Sequence, residues 1–328
     1  MNKPPYHIPS MREIQRLPWN GFKVASLFSG CGGSCLGYRM AGFRVVWANE
    51  FVPSAQESYR ANMGRGCILD CRDLRQVKPG DILKALCMKK GELDLLDGSP
   101  PCQAFSFAGA RHTGWNKERR YDNGKRQCDE LLFDEYVRIL RGLMPKAFIA
   151  ENVSGLAKGT AKGFFLEILR KLKRSGYRVR CKMLDAQWLG VPQMRARIVF
   201  VGIRNDLEIL PAFPRPLSYK YTTRDALSHI ERIQTGSYAS EWRDSNRPMC
   251  VIVARDGNRP DRAQCADKNG IRKFTIQEVK RLCSFPRDFR LSGSYVQQWE
   301  RLGNAVPPIM MSHVAAVVRN QLQSIERN

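Results

Sequence analysis

Nothing in this chain stays apolar for long. No run of eighteen or more apolar residues occurs among its 328 residues, whereas a membrane-spanning helix needs about twenty. Residues 1–19 lack the apolar stretch of a secretory signal, so the sequence reads as soluble and intracellular. Histidine is scarce, at four. The eleven cysteines include no paired CxxC with a nearby histidine, so no structural metal is expected. In an intracellular chain they read as thiols rather than disulfides. No internal repeat and no low-complexity tract is present.

Acidic residues are few beside basic ones, 31 Asp plus Glu against 54 Lys plus Arg, for a net charge of +23. Solubility needs only a modest charge of either sign. So large an excess repels itself unless a polyanion meets it, and nucleic acid is the usual one, because each neutralised phosphate releases counterions.

What is present alternates. KVASLF (23–28) is a short apolar run, followed by a glycine turn, SGCGG, and a helical stretch that stops at Gly42. RVVWANE (44–50), CILD (67–70), LDLLDG (93–98) and AFIAENV (147–153) read as further strands. Helices are expected at VPSAQESYRANM, over 129–144, and over 163–176 with Gly176 as its stop. YRVRCKML and ARIVFVGI are later strands. The pattern predicts an α/β fold with a doubly wound, mostly parallel sheet. In such sheets ligands bind beyond the C-terminal strand ends, and there lie SGCGG, Glu50, Asp70, PPC and ENV. From residue 205 the alternation fades over a proline-rich stretch that reads as a smaller domain. A helix follows at 275–285, and another begins near Ala305. The expected organisation is an N-terminal extension (1–20), a catalytic domain (21–204), a small domain (205–295) and a C-terminal segment (296–328) returning to the large domain.

At the first strand end, Gly30, Gly32 and Gly33 allow a tight turn and close ligand approach. Glu50, twenty positions after Gly30, can accept from ribose hydroxyls. The third glycine of a dinucleotide fingerprint is replaced by Cys35, so these residues indicate an adenosine-containing ligand without specifying a dinucleotide. In GSPPCQAFSFAG (98–109) two prolines fix the backbone before Cys102, as an aimed nucleophile requires, although most free cysteines are small buried apolar groups. Glu151 ends the neighbouring strand. Gln193, Arg195 and Arg197 alternate along an extended segment and so share one face; an exposed basic edge strand would show the same spacing.

Taken in order, these motifs resemble the DNA (cytosine-5)-methyltransferases. LFSGCGGSCLGYRMAGF, Glu50, DCRDL (70–74), GSPPCQAFS, ENV, QMRAR, RKFTIQEVKRLCSFP (272–286) and GNAVPP (303–308) follow the family's motif order across nearly the whole chain. The resemblance implies a Rossmann-like class I methyltransferase using S-adenosyl-L-methionine, without a metal, on a cytosine flipped out of double-stranded DNA. It implies that Cys102 attacks ring carbon 6, Glu151 holds ring nitrogen 3 and the exocyclic amine, and Arg197 contacts the carbonyl oxygen. Arg195 then positions a loop or phosphate. Phe28 and Phe51 pack on the cofactor, Gly30, Gly32 and Gly33 line its methionine, Glu50 takes the ribose, Asp70 with Cys71 the adenine, and Asn304 braces the active-site face. Residues 105–128 would close as a lid. The resemblance further implies a cytoplasmic, nucleoid-associated monomer on DNA, with or without a cognate restriction endonuclease. The small domain would recognise the target, yet it is short for the family. That leaves open a short site of roughly two to four base pairs, relaxed specificity, or recognition borrowed from a partner chain. Cys283 stands where the family often has glutamine.

Overall fold

A computed structural model describes residues 3–64, 66–101, 132–157, 162–234 and 241–326, and the backbone of 119–120 and 126–127. Cys102 lies outside the described residues. So does the 105–128 segment, apart from a two-residue antiparallel ladder, Arg119–Arg120 on Arg126–Gln127.

Seven strands form the main sheet: β1 (Lys23–Leu27), β2 (Arg44–Asn49), β3 (Ile68–Asp70), β4 (Leu95–Gly98), β5 (Ala147–Val153), β6 (Tyr177–Asp185) and β7 (Ala196–Arg204). Their spatial order is β3-β2-β1-β4-β5-β7-β6. The first five pair in parallel, while β7 runs antiparallel between β5 and β6. The doubly wound, mostly parallel sheet is therefore as expected, and the reversed β7 is its departure from plain alternation. Only residues 186–195 separate β6 from β7, and a parallel return needs a crossover of a dozen or more.

Both faces of this sheet are covered, and the period-two geometry of each strand divides its side chains between two cores. Val24, Ile149, Val199 and Val201 enter one core; Ala25, Leu27, Phe148 and Phe200 enter the other. The first core lies under α2 (Gly33–Met40) and α10 (Pro308–Glu326). The second lies under α4 (Pro79–Ala85), α5 (Leu132–Leu143) and α6 (Lys162–Lys173). α5 buries Phe133, Tyr136, Val137, Leu140 and Leu143, the spacing of one helical face. The remaining helices are α1 (Met11–Arg16), α3 (Pro53–Met63), α7 (Thr223–Ala226), α8 (Ile276–Leu282) and α9 (Tyr295–Asn304).

The stretch that lacked alternation contains a four-stranded antiparallel sheet: β8 (Arg232–Gln234), β9 (Trp242–Asp244), β10 (Gln264–Asp267) and β11 (Gly270–Lys273), in the order β9-β8-β10-β11. Its Ile233 and Cys265, with Phe274 just beyond β11, continue the first core without a break. Residues 3–11 strap this region to the rest. Lys3 pairs with Asp225 at 2.6 Å, the Tyr6 hydroxyl donates to the Arg281 carbonyl at 2.9 Å, and Met11 N–H donates to Asp288 at 3.0 Å.

Candidate active site

Strand order reverses between β1 and β4, and a cleft of about 230 Å³ opens beyond their C-terminal ends, where open α/β sheets take ligands. Residues Phe28–Cys31 follow β1, Asn49 ends β2 with Glu50–Val52 after it, Ser99–Pro101 follow β4, Glu151–Val153 end β5, and Arg301 with 303–306 at the α9–α10 junction close the side.

One end of the cleft is built on glycine and carboxylate. Gly30 has φ +56, and a Cβ there would meet nothing within 4 Å, so its face is open to a ligand. Phe28 also has φ +55, a conformation costing a bulky L-residue about 1–2 kcal/mol. Glu50 is buried, and its two oxygens accept from the Gly30 N–H and the Val52 N–H, each at 2.7 Å. Burial raises its pKa, against the pull of those backbone donors. The Phe51 N–H is a third backbone donor that lowers it. Gly33 faces the other way. A Cβ there would sit 2.5 Å from the Val306 carbonyl, so glycine is what lets GNAVPP dock on the turn.

At the other end the prolines and the carboxylate motif are joined directly. Asn152, buried at the end of β5, donates from Nδ2 to the Pro100 carbonyl at 3.2 Å, while its Oδ1 accepts from Val153 N–H at 2.8 Å. Beside it Glu151 Oε1 accepts from Arg197 Nε at 2.8 Å, with both side chains largely buried. Gln193, Arg195 and Arg197 all turn inward, so the segment is not an exposed basic edge. Gln193 donates to the Leu282 carbonyl and to Cys283 Sγ, at 3.3 and 3.4 Å. Arg195 donates to the Gly303 carbonyl at 2.9 Å and the Ile252 carbonyl at 3.4 Å. Burial, and then the charge of Arg197, lower the pKa of Arg195. One guanidinium thus ties QMRAR to GNAVPP and to the small sheet's approach.

Of the residues singled out in the sequence, Phe28, Gly30, Gly33, Glu50, Phe51, Glu151, Arg195, Arg197 and Asn304 line this one cleft. Gly32, Asp70 and Cys71 do not. Gly32 faces Met63 and Tyr59 of α3. Asp70 is held by Arg72 at 2.7 Å, and Arg72 also reaches Asp81 at 3.1 Å. Cys71 Sγ accepts from Arg60 at 2.9 Å. Cys31, Asn49, Val52, Asn152 and Arg301 line the cleft without having been singled out; each lies within two residues of one that was, or of its motif. Among the described residues no group of three or more His, Cys, Asp or Glu could hold a metal, and no helix is long and apolar enough to cross a membrane.

The architecture is the Rossmann-like one of the C5 methyltransferases. A crystal structure of an E. coli prophage product described as a DNA modification methyltransferase matches with a TM-score of 0.71 at 19% identity, covering 94% of this chain and 100% of that one. The S. pombe Dnmt2 methyltransferase matches at 0.62 and 20% identity, over 93% and 99% of the two chains. At that identity the likeness is one of fold. Sequence supplies the particular family: the model of the C-5 cytosine-specific DNA methylases matches residues 22–241 and 218–320, and the chain belongs to that family. The Type II methyltransferase M1.HphI of Haemophilus parahaemolyticus is 31% identical across 89% of this chain and 85% of its own length. M.NgoPII of Neisseria gonorrhoeae is 29% identical across 95% and 100%.

Proposed function

We propose that this chain methylates carbon 5 of a cytosine rotated out of double-stranded DNA, with S-adenosyl-L-methionine as donor and Cys102 as transient nucleophile. The observation that carries the reading is the hydrogen bond from Asn152 to the Pro100 carbonyl. It pins the turn leading into position 102 beside the Glu151–Arg197 pair, in the same cleft as Glu50.

The donor fits the Glu50 end. The open face of Gly30, the rings of Phe28 and Phe51, and a buried carboxylate that can accept ribose hydroxyls suit an adenosyl ligand. When bound, it supplies an electrophilic methyl group on a sulfonium. Asp70 stands outside this cleft, its carboxylate engaged by Arg72 and its carbonyl by Glu50 N–H and Asn49.

Cytosine carbon 5 is a poor nucleophile until a thiolate adds to carbon 6. Cys102 makes that bond, and the electron pair moves toward ring nitrogen 3. Glu151 has one oxygen on Arg197; the other is assigned to nitrogen 3 and the exocyclic amine, where it shares the proton that neutralises the developing charge. Arg197 meets the ring carbonyl. Arg195 fixes the wall behind them through Gly303 and Ile252 and, with Arg197, favours the thiolate form of Cys102. Once carbon 5 has taken the methyl group, loss of its proton to solvent and expulsion of the Cys102 thiolate from carbon 6 would restore the ring. Reaching the base requires flipping it from the stack, with residues 105–128 as the covering lid and the short unit over 205–295 as the reader of sequence. The Type II relatives support a reaction in DNA modification.

Incubation with radiolabelled S-adenosyl-L-methionine and either duplex DNA or tRNA tests this. Label is expected in DNA, and none with Cys102→Ala. Label in tRNA alone, or unchanged DNA labelling by the variant, contradicts the proposal.

A further inference from the structure

Beneath the cleft, at the point where strand order reverses, a buried carboxyl bridges β1 and β4. Asp97 of β4 stands opposite Ser26 of β1 in their parallel register. Its Oδ2 lies 2.7 Å from Ser26 Oγ, and its Oδ1 accepts from the Tyr38 hydroxyl of α2 at 2.9 Å. Asp97, Ser26 and Tyr38 are all buried. From Ser26 the polar path continues toward the cleft. The Ser29 hydroxyl lies 2.9 Å from the Ser26 carbonyl and 3.2 Å from its Oγ. Ser29 lines the cleft. It also anchors the glycine turn: its N–H donates to the Asn49 carbonyl at 3.0 Å, and its carbonyl accepts from Gly32 N–H at 2.9 Å. In the other direction Asp97 leads through Gly98 into Ser99–Pro101, which face the same cleft. One side chain therefore lies under both turns.

The two protonation states of Asp97 order this path differently. An ionised Asp97 takes the Ser26 proton, and Ser26 Oγ then draws the proton of Ser29. A neutral Asp97 gives its own proton to Ser26 Oγ, which leaves the Ser29 proton on the Ser26 carbonyl. A hydroxyl has one proton to donate, so Ser29 serves one acceptor at a time. The titratable groups around Asp97 are Cys35 and Tyr38 of α2, Tyr136 of α5 and Glu151 of β5. All are acids, and none brings a positive charge to offset the cost of a buried carboxylate. Burial accordingly pushes the Asp97 carboxyl up to about 7.

We propose that Asp97 is a positioning residue for the methyl donor: through Ser26 it sets the Ser29 hydroxyl, and with it the glycine turn on which the donor rests. The neutral acid holds the turn in its accepting form; ionisation, with the proton lost to solvent, loosens it. The inference rests on the reading that the donor occupies this cleft, and the experiment separates the two. S-adenosylhomocysteine is titrated calorimetrically from about pH 5.5 to about pH 8.5, on either side of the Asp97 value. Wild-type affinity is expected to fall by roughly three- to tenfold across that range, the worth of one hydrogen bond, because the binding form is the one lost as pH rises through about 7. Asp97→Asn, whose amide accepts from Tyr38 and donates to Ser26 as the neutral acid does, should change by less than about twofold. Ser26→Ala, which cuts the path and leaves the carboxyl in place, should be equally flat. A purely structural Asp97 would affect stability alone and leave the slope as in wild type. An unchanged slope in the variants, or a flat wild-type response, overturns the assignment. If the ligand binds at no pH, the donor reading fails, and this inference with it.

Discussion

Asn152 links two motifs by one hydrogen bond, and its loss has a signature apart from loss of the chemistry. Asn152→Ala removes the donor to the Pro100 carbonyl, worth about 1 kcal/mol. Turnover is expected to fall about tenfold with donor affinity unchanged, because Glu50 and Gly30 are untouched. Glu151→Gln keeps the shape but not the carboxylate, and turnover should drop by roughly 10²–10⁴, the usual scale of proton-transfer assistance; steady-state kinetics distinguishes the two. Deeper in β4, Asp97 accepts from Ser26 at 2.7 Å and Tyr38 at 2.9 Å. Burial pushes its pKa up to about 7 despite those donors, and the charge of Glu151 adds to the rise. A carboxyl with a raised folded pKa stabilises the fold below its ordinary value of 3.8 and loses that contribution as pH climbs through about 7. The stability of wild type relative to Asp97→Asn should therefore decline from pH 4 to pH 7, by up to about 4 kcal/mol. A constant difference between the two denaturation curves across that range would contradict it. Most residues of the cleft were legible because they lie at strand ends, as Gly30, Glu50 and Glu151 do, or in a motif, as Arg195, Arg197 and Asn304 do. The role of Asp97 was not, since it depends on Ser26 and Tyr38, both distant in sequence.

Elements were legible in proportion to their length and apolar content. AFIAENV is buried along almost all of β5, and the expected strand coincides with it. α5 was read to within three residues of its observed start, owing to its clear apolar face. By contrast, α9 buries only Trp299, Arg301, Leu302 and Gly303, too weak a stripe to announce a helix. The small sheet escaped notice because its strands are three or four residues long, too short to show a period. What holds that sheet to α8 is a charge cluster. Glu278 accepts from Arg272 at 2.7 and 2.9 Å, lies 2.7 Å from His229 Nε2, and closes a capping box with Thr275. Burial works to raise the pKa of Glu278, but the hydrogen bonds from Arg272, His229 and Thr275 hold it at about 2. A depressed carboxylate stabilises the fold above its ordinary value of 4.5, and the contribution fades as pH falls toward about 2. Glu278→Gln is expected to cost about 2 kcal/mol at neutral pH, and the gap should narrow across that acid window. Urea denaturation at pH 7 and pH 3 measures it; an equal gap at both values would contradict the assignment.

At the scale of the whole molecule, the two facts to join are a charge of +23 and a cleft with the Glu151–Arg197 pair at one end and Glu50 at the other. A protein contacting six to ten phosphates loses about 10³–10⁵ in duplex affinity between 50 and 200 mM salt, and binding isotherms should show that slope. Donor binding, confined to the cleft, should move far less. Fold, family and cleft were all visible in the motif order, whereas sequence specificity was not, because few residues separate the motifs that bracket the small sheet. The central claim is that the sulfur of Cys102 bonds transiently to the cytosine ring. Duplex DNA carrying 5-fluorocytosine at the methylated site, incubated with the protein and S-adenosyl-L-methionine, tests it most directly, since fluorine cannot leave as the proton does. The account predicts a protein–DNA adduct that survives denaturing electrophoresis and is absent with Cys102→Ala. DNA that is bound and methylated at its normal cytosine, yet gives no such adduct when fluorinated, would contradict it.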